Sequence, residues 1–310
     1  MNSHQPATLE QNEAIGSSLR RRPVVLSIAG FDPSSGAGVT ADLKVFAAFG
    51  FYGMSCITGL TVQSTLGVHA VEPIAASTVA ASLQMLSEDV TFSGIKLGML
   101  ATAEICEVVA DFLESVPDIP VVLDPVLRSS SGHELLEPAG VRVLVERLLP
   151  RVSWITPNLD ELSILTGSAV AARDEVPAAA EKLRQIAGGL GNHRLSILVT
   201  GGHLDPPDDY LLTDFSEICW ISGERVETEA THGTGCALSS ALLCRTLAGD
   251  PAAEAASTSK GYVTAALRAA YPLGRGKGPM HHLFALEENA GRAGRTMLAA
   301  PYRPGRHPTG

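Results

Sequence analysis

The sequence predicts an α/β domain: a mostly parallel central sheet with helices on both faces. Short runs rich in Val, Ile and Leu alternate with segments of helical period from about residue 24 to residue 187. That alternation implies right-handed crossovers covering a parallel sheet. The chain has 310 residues, 45% hydrophobic and 18% charged, enough for one large domain of about 250 residues. No internal repeat or linker interrupts residues 23–290, which read as a single unit.

In order, Val24-Val25-Leu26-Ser27-Ile28-Ala29 is a buried strand, and a Gly-rich turn leads to a helix over about Gly38–Phe49 with Val39, Leu43, Phe46 and Ala47 on one face. Met54–Gln63 is the next strand, Val68–Val71 a short edge strand, and 76–89 a helix. Strands follow at Gly94–Leu97, Val121–Asp124, Trp154–Thr156 and Ile197–Thr200, separated by helices near 103–115, 139–149, 159–166 and 177–187. Antiparallel strands near 210–215, 217–222 and 224–229 then precede two Ala-rich helices, 236–248 and 252–270. Residues 1–22 are polar and aperiodic, and 291–310 are basic and rich in Gly and Pro; both read as flexible tails.

Charge and cysteine content narrow the function. A net charge of -10 and a pI near 5.4 argue against nucleic-acid or anionic-membrane partners. No apolar run reaches the roughly 18–20 residues of a membrane span. Arg20-Arg21-Arg22 faintly resembles a twin-arginine signal, but no cleavage site follows. Five cysteines without a C-x-x-C spacing suit reduced thiols in a cytoplasm.

Several motifs compete. Gly36-Ala37-Gly38-Val39-Thr40-Ala41 fits the dinucleotide fingerprint, yet it stands far from its strand and no acidic residue ends the second strand near Gln63. There is no P-loop and no protein-kinase signature. Thr231-His232-Gly233-Thr234-Gly235-Cys236 directly precedes a helical stretch, where glycine amides and the helix start form an anion hole. Cys236 falls in the first helical turn, a place that lowers a thiol pKa; the alternative is a turn before a packed cysteine. Thr156-Pro157-Asn158-Leu159-Asp160-Glu161 offers a carboxylate suited to Mg²⁺, or plain capping chemistry. His281-His282 and His232 read as structural rather than metal-binding.

Taken in order, these segments resemble the hydroxymethylpyrimidine/phosphomethylpyrimidine kinase family of thiamine biosynthesis, a ribokinase-like group. The resemblance rests on Ser27–Gly38 with Ala41-Asp42-Leu43-Lys44, Gln63–Val68, Ile95–Leu100, Val122–Val126, Thr156–Glu161, Thr200–Leu204, His232–Cys236 and Gly276–His282. It implies a ribokinase-like three-layer sandwich. It also implies ATP-dependent phosphorylation of 4-amino-5-hydroxymethyl-2-methylpyrimidine to the monophosphate and then the diphosphate.

By position, Gln63, Gly30, Asp42, Met99 and Val126 would bind the pyrimidine, and Gly233, Thr234, Gly235 and Cys236 would form the catalytic loop with Cys236 as base. Asn158, Glu161, Thr200 and Asp124 would serve the nucleotide, Glu161 through Mg²⁺ and phosphate. The resemblance further implies a homodimer, in the cytoplasm that the cysteines suggest, and no fused thiamine-phosphate synthase module is expected beyond about Leu283. Thr200 stands where many members carry Lys, and Arg128 could move over the site to supply the missing charge. Pyridoxal kinase activity and a catalytically silent pyrimidine sensor remain the alternatives.

Overall fold

The computed structural model describes residues 22–286, apart from 117, 130–131 and 214–216. The expected tails, Arg22 excepted, lie outside the described residues. One nine-stranded sheet runs through the described chain in the order β3-β2-β1-β4-β5-β6-β7-β8-β9. The strands are β1 (Val24–Phe31), β2 (Tyr52–Ser64), β3 (Gly67–Pro73), β4 (Gly94–Leu97), β5 (Val121–Leu123), β6 (Trp154–Ile155), β7 (Ser196–Val199), β8 (Asp209–Leu212) and β9 (Ile218–Ile221). From β2 through β7 the neighbours are parallel; β3 at one edge and β8 and β9 at the other are antiparallel.

Among the described residues eight α-helices make the outer layers: α1 (Gly38–Ala48), α2 (Ala76–Asp89), α3 (Ala103–Ser115), α4 (Pro138–Val143), α5 (Leu159–Thr166), α6 (Val176–Gly189), α7 (Thr234–Leu247) and α8 (Ala252–Arg268). The two faces of the sheet separate by the two-residue period of a strand. Leu26, Ile28, Ile95, Leu97 and Leu123 pack against residues of α2 to α6, including Leu83, Ile105, Leu162 and Leu183. Val25, Val122, Trp154 and Leu198 face the other way, onto Phe46 of α1, Leu238 and Leu242 of α7 and Ala256 of α8. This is the three-layer arrangement that the alternating pattern predicts.

Helix starts follow local chemistry. The Thr102 side chain accepts from the Ile105 amide at 3.3 Å and opens α3. Asn158 and Glu161 form a reciprocal capping box on α5, both hydrogen bonds 2.9 Å long. α4 widens into a π turn over Leu144–Leu148.

The expected strand near 224–229 is not found. Gly223 donates to Asp208 Oδ1 at 2.8 Å and sits so close to the Pro207 carbonyl that a Cβ would meet it at 2.0 Å. That anchor turns the chain away from β9, and Arg225 instead donates to the Leu204 carbonyl at 2.6 Å. The segment crosses back toward α7 and delivers Thr231–Cys236 to the carboxyl ends of the parallel strands, where such sheets place their ligands.

Candidate active site

A cavity of about 490 Å³ opens over those strand ends. Every expected site residue except Asp42 lines it. Gly30, Gln63, Met99 and Val126 lie there with the Gly233-Thr234-Gly235-Cys236 loop, and so do Asp124, Asn158, Glu161 and Thr200. β1 carries Gly30 and β2 carries Gln63; Asp124 follows β5, Asn158 and Glu161 open α5 after β6, and Thr200 follows β7.

The Gly233–Cys236 loop is shaped by close packing. Gly233 has φ +82°, and a Cβ there would stand 1.8 Å from the Gly36 carbonyl oxygen, so neither the backbone conformation nor the space admits another residue. α7 begins with no side-chain cap, and its first amide bound within the helix is Ala237 N to Gly233 O at 3.0 Å. The Thr234, Gly235 and Cys236 amides precede it in the first turn, where intrahelical acceptors are lacking, and the helix dipole adds positive potential. At Gly235 a Cβ would meet nothing nearer than the Asp124 carboxylate, at 3.8 Å. This is a cradle for an anion.

A second loop backs the first. Asp32, after β1, accepts from Ser34 N and Ser34 Oγ at 2.7 Å, from Ala37 N at 2.8 Å and from Gly36 N at 3.1 Å. It also accepts from His232 Nε2 at 2.8 Å. Burial alone would raise the Asp32 carboxyl, but hydrogen bonds from His232, Gln63 and Ser34 outweigh it and hold the group well below the usual carboxylate range.

Beneath the cavity lies a buried polar network. Asp42 is fully buried; it accepts from Ser27 Oγ at 2.6 Å, Ser240 Oγ at 2.8 Å and Lys96 Nζ at 3.0 Å. The expected contact between Asp42 and substrate is therefore corrected: its oxygens are taken up inside the protein. Lys96, also fully buried, reaches the cavity wall in its place. Burial opposes its charge, yet Asp42, Cys236 and Asp124 hold the ammonium above its ordinary pKa.

The expected lowering of the Cys236 pKa is also corrected. Burial pushes the thiol up to about 12; Lys96 opposes this, while the Asp124 and Asp42 carboxylates add to it. The ligand-free thiol is neutral at pH 7 and donates to Asp124. Burial raises Asp124 as well, and Ser239 Oγ donates to it at 3.2 Å. Glu161 rises to about 8, through burial first and Asp124 second.

The Asn158–Glu161 pair is thus capping chemistry and cavity wall at once. Thr200 sits against it, its amide donating to the Pro157 carbonyl at 2.9 Å. Arg128 and Lys277 also line the cavity; Arg128 forms an isolated antiparallel bridge with Glu134, beside which Leu135 N donates to Leu127 O at 2.9 Å. Among the described residues no group of three or more His, Cys, Asp or Glu could hold a metal ion. His281 and His282 stand apart from any such cluster, and burial pushes His282 down to about 4.

Sequence reasoning gives no specific role to Lys96, Asp32 or His232: the first two read only as polar residues at strand ends, and His232 as structural. Lys96 sits in an apolar strand. A Lys inside a run otherwise buried on both faces was the available signal.

An anion cradle at a helix start, a mostly apolar pocket beside it and no P-loop on a three-layer α/β frame define a small-molecule kinase. The chain belongs to the phosphomethylpyrimidine kinase family, whose sequence profile matches residues 32–281. The hydroxymethylpyrimidine/phosphomethylpyrimidine kinase of Rhizobium meliloti (strain 1021) is 41% identical over 262 residues, covering 84% of this chain and 96% of that protein. A phosphomethylpyrimidine kinase structure from Clostridium difficile 630 superimposes with a TM-score of 0.67 at 34% identity, covering 79% of this chain and 99% of that one. An ADP complex of Bacillus subtilis pyridoxal kinase gives 0.75 at 31% identity, covering 86% and 100%. The fold is the ribokinase-like sandwich these kinases share. No helix among the described residues is long and apolar enough to cross a membrane.

Proposed function

We propose that this protein uses ATP to phosphorylate 4-amino-5-hydroxymethyl-2-methylpyrimidine to its monophosphate and then to the diphosphate, for thiamine biosynthesis. One arrangement carries the reading: the Gly233–Cys236 cradle lies in a single cavity with Gln63 and Met99 and with Asn158 and Glu161. Gln63 hydrogen-bonds the aminopyrimidine edge, while Gly30, Met99 and Val126 enclose the ring. The Thr234, Gly235 and Cys236 amides hold the transferring phosphoryl oxygens, where positioning and charge stabilisation dominate the rate.

The proton of the attacking hydroxyl passes to Cys236 Sγ as the thiol proton moves to the Asp124 carboxylate, so no free thiolate is required. A hard carboxylate oxygen at Glu161 suits Mg²⁺, which keeps most of its waters and needs only one or two protein carboxylates. When bound, the ion would neutralise phosphate charge; Asn158 and Thr200 would orient the same phosphates, with Arg128 supplying further positive charge. Residues 23–290 act as one kinase domain, as a cytoplasmic homodimer.

Mass spectrometry of the products tests this directly: mono- and diphosphate of the pyrimidine are expected. The likeness to pyridoxal kinase favours one second reading, pyridoxal phosphorylation. A higher kcat/KM for pyridoxal, with no pyrimidine diphosphate, would establish that reading instead. Binding of the pyrimidine without ADP release would point to a silent sensor.

A further inference from the structure

The pairing of β1 with β2 slips at the edge of the cavity. Ala29 stands opposite Ile57 and Phe31 opposite Leu60, so two residues of β2, Thr58 and Gly59, face Gly30 alone. Such a β-bulge bends its strand and re-aims the neighbouring side chains. Beyond it Thr61 and Gln63 line the cavity, while Leu60 and Val62 are exposed.

Both bulge residues act on Met99. The fully buried Thr58 hydroxyl donates to the Met99 carbonyl at 2.5 Å and fixes the backbone there. Gly59 and Gly30 make room for the side chain. A Cβ at Gly30 would stand 2.3 Å from Met99 Cε, and one at Gly59 would stand 3.3 Å from the same methyl. The methyl therefore rests in a seat between two glycines, one from each strand. Methionine is unbranched and turns about three bonds, so it fills such a gap without holding a position of its own. Here the seat holds it.

We propose that Gly59 is a specificity-determining positioning residue: the seat it completes keeps the Met99 methyl back from the cavity and so sets how large an apolar substituent the bound ring can carry. The inference rests on the functional reading above, in which Met99 encloses the pyrimidine ring. Gly59 itself lies outside the cavity lining, behind Met99. Its backbone is not left-handed, so alanine there meets only a packing constraint. The added methyl would have the Glu72 carbonyl oxygen at 3.4 Å and the Ala101 Cβ at 3.6 Å, both fixed by the backbone. Its approach to Met99 Cε at 3.3 Å is closer than carbon atoms pack at best, about 3.5–4.0 Å. Met99 Cε is the far end of a flexible chain, so it is the group that yields. With Gly30 on its other side, the open direction is the cavity.

The test compares kcat/KM for 4-amino-5-hydroxymethyl-2-methylpyrimidine and its 2-ethyl homologue in wild type, Gly59→Ala, Met99→Ala and the double variant. Gly59→Ala should lower the ethyl-to-methyl ratio by about tenfold or more, since one methylene in an apolar pocket is worth about 10–200-fold. Met99→Ala should raise that ratio by a similar factor. In the Met99→Ala background, Gly59→Ala should leave the ratio unchanged, because the methyl through which it acts is gone.

Because a ratio is read, general loss of stability or activity cancels. A Gly59→Ala ratio equal to that of wild type overturns the proposal. So does an equal shift in both backgrounds, which would make position 59 act by another route. Where Gly59→Ala fails to fold, the double variant should fold, since the clash is with Met99; its failure overturns the proposal too. A wild type inactive on both pyrimidines would overturn the functional reading and this inference together, whereas an active enzyme with an unmoved ratio overturns this inference alone.

Discussion

Asp42→Asn tests whether the buried network is a structural foundation or part of the substrate pocket. The carboxylate is fully buried and holds Lys96 at 3.0 Å, with Ser27 and Ser240 donating to its two oxygens. The amide keeps the shape and removes the charge, leaving an ammonium in the interior without its contact partner. Breaking one side of a buried ion pair costs about 3–5 kcal/mol. Asp124 and Cys236 still favour the Lys96 charge, which places this site at the lower end, about 3 kcal/mol. In a domain of this size that lowers Tm by about 6–12 °C.

Lys96 is held above its unfolded pKa, so the pair's contribution is complete below about pH 10.4 and is lost only as pH rises through the higher folded value. The loss in Asp42→Asn should therefore be flat from pH 6 to 9. Thermal melts followed by circular dichroism measure it, with KM for the pyrimidine on the folded enzyme. A Tm within about 2 °C of wild type, accompanied by a large rise in KM, would refute the reasoning and return Asp42 to the substrate pocket.

Other expectations concern the cavity wall. With its pKa near 12, Cys236 in the ligand-free protein should react with iodoacetamide at pH 8 about 10³-fold more slowly than an ordinary thiol; peptide mapping that finds it among the fast sites would contradict its neutral state. Cys236→Ala should lower kcat by about 10²-fold with little change in KM, and an unchanged kcat would leave the backbone amides as the catalytic device.

Glu161 keeps its proton to about pH 8 when folded but loses it near 4.3 when unfolded, so wild-type stability falls as pH rises across that interval. Glu161→Gln should become progressively more stable than wild type over the same range while Mg²⁺-dependent activity drops about 10–100-fold. Denaturation at pH 5 and pH 8, beside a kinase assay, checks both. Gly233→Ala should destabilise by more than the roughly 1–2 kcal/mol of a left-handed residue because of its clash with Gly36, whereas Gly235→Ala should fold normally. Equal melting temperatures for the two variants would contradict the loop packing.

The fold was legible because its signals are local. Buried strands such as Val24–Ala29 and helices such as 103–115 declare themselves within a dozen residues, and helices 76–89, 103–115 and 159–166 have the expected boundaries. The strand expected at 224–229 failed because its charged and apolar alternation is local, whereas Asp208 and Pro207, which pull the chain aside at Gly223, are not. The site shows the same division. Gly233–Cys236 and Asn158–Glu161 are contiguous and were readable. Lys96 meets Asp42 across 54 positions and His232 meets Asp32 across 200, pairings that only the folded chain creates. The Cys236 pKa went the other way for this reason: the helix start is visible in sequence, the surrounding burial and carboxylates are not.

The bare start of α7 has a consequence for engineering. Ser, Asp or Asn at an N-cap ordinarily strengthens a helix by about 1 kcal/mol, and a search for thermostable variants would be drawn to such a gap. Under the proposed function the cap's oxygen would occupy the space meant for a phosphoryl oxygen, and the left-handed backbone at Gly233 refuses the side chain in any case. Heat resistance and turnover therefore compete for the same few amides. A hardier version of this enzyme has to gain its stability elsewhere, in the α8 or β9 surfaces far from the strand ends, and leave this helix to be completed by its ligand.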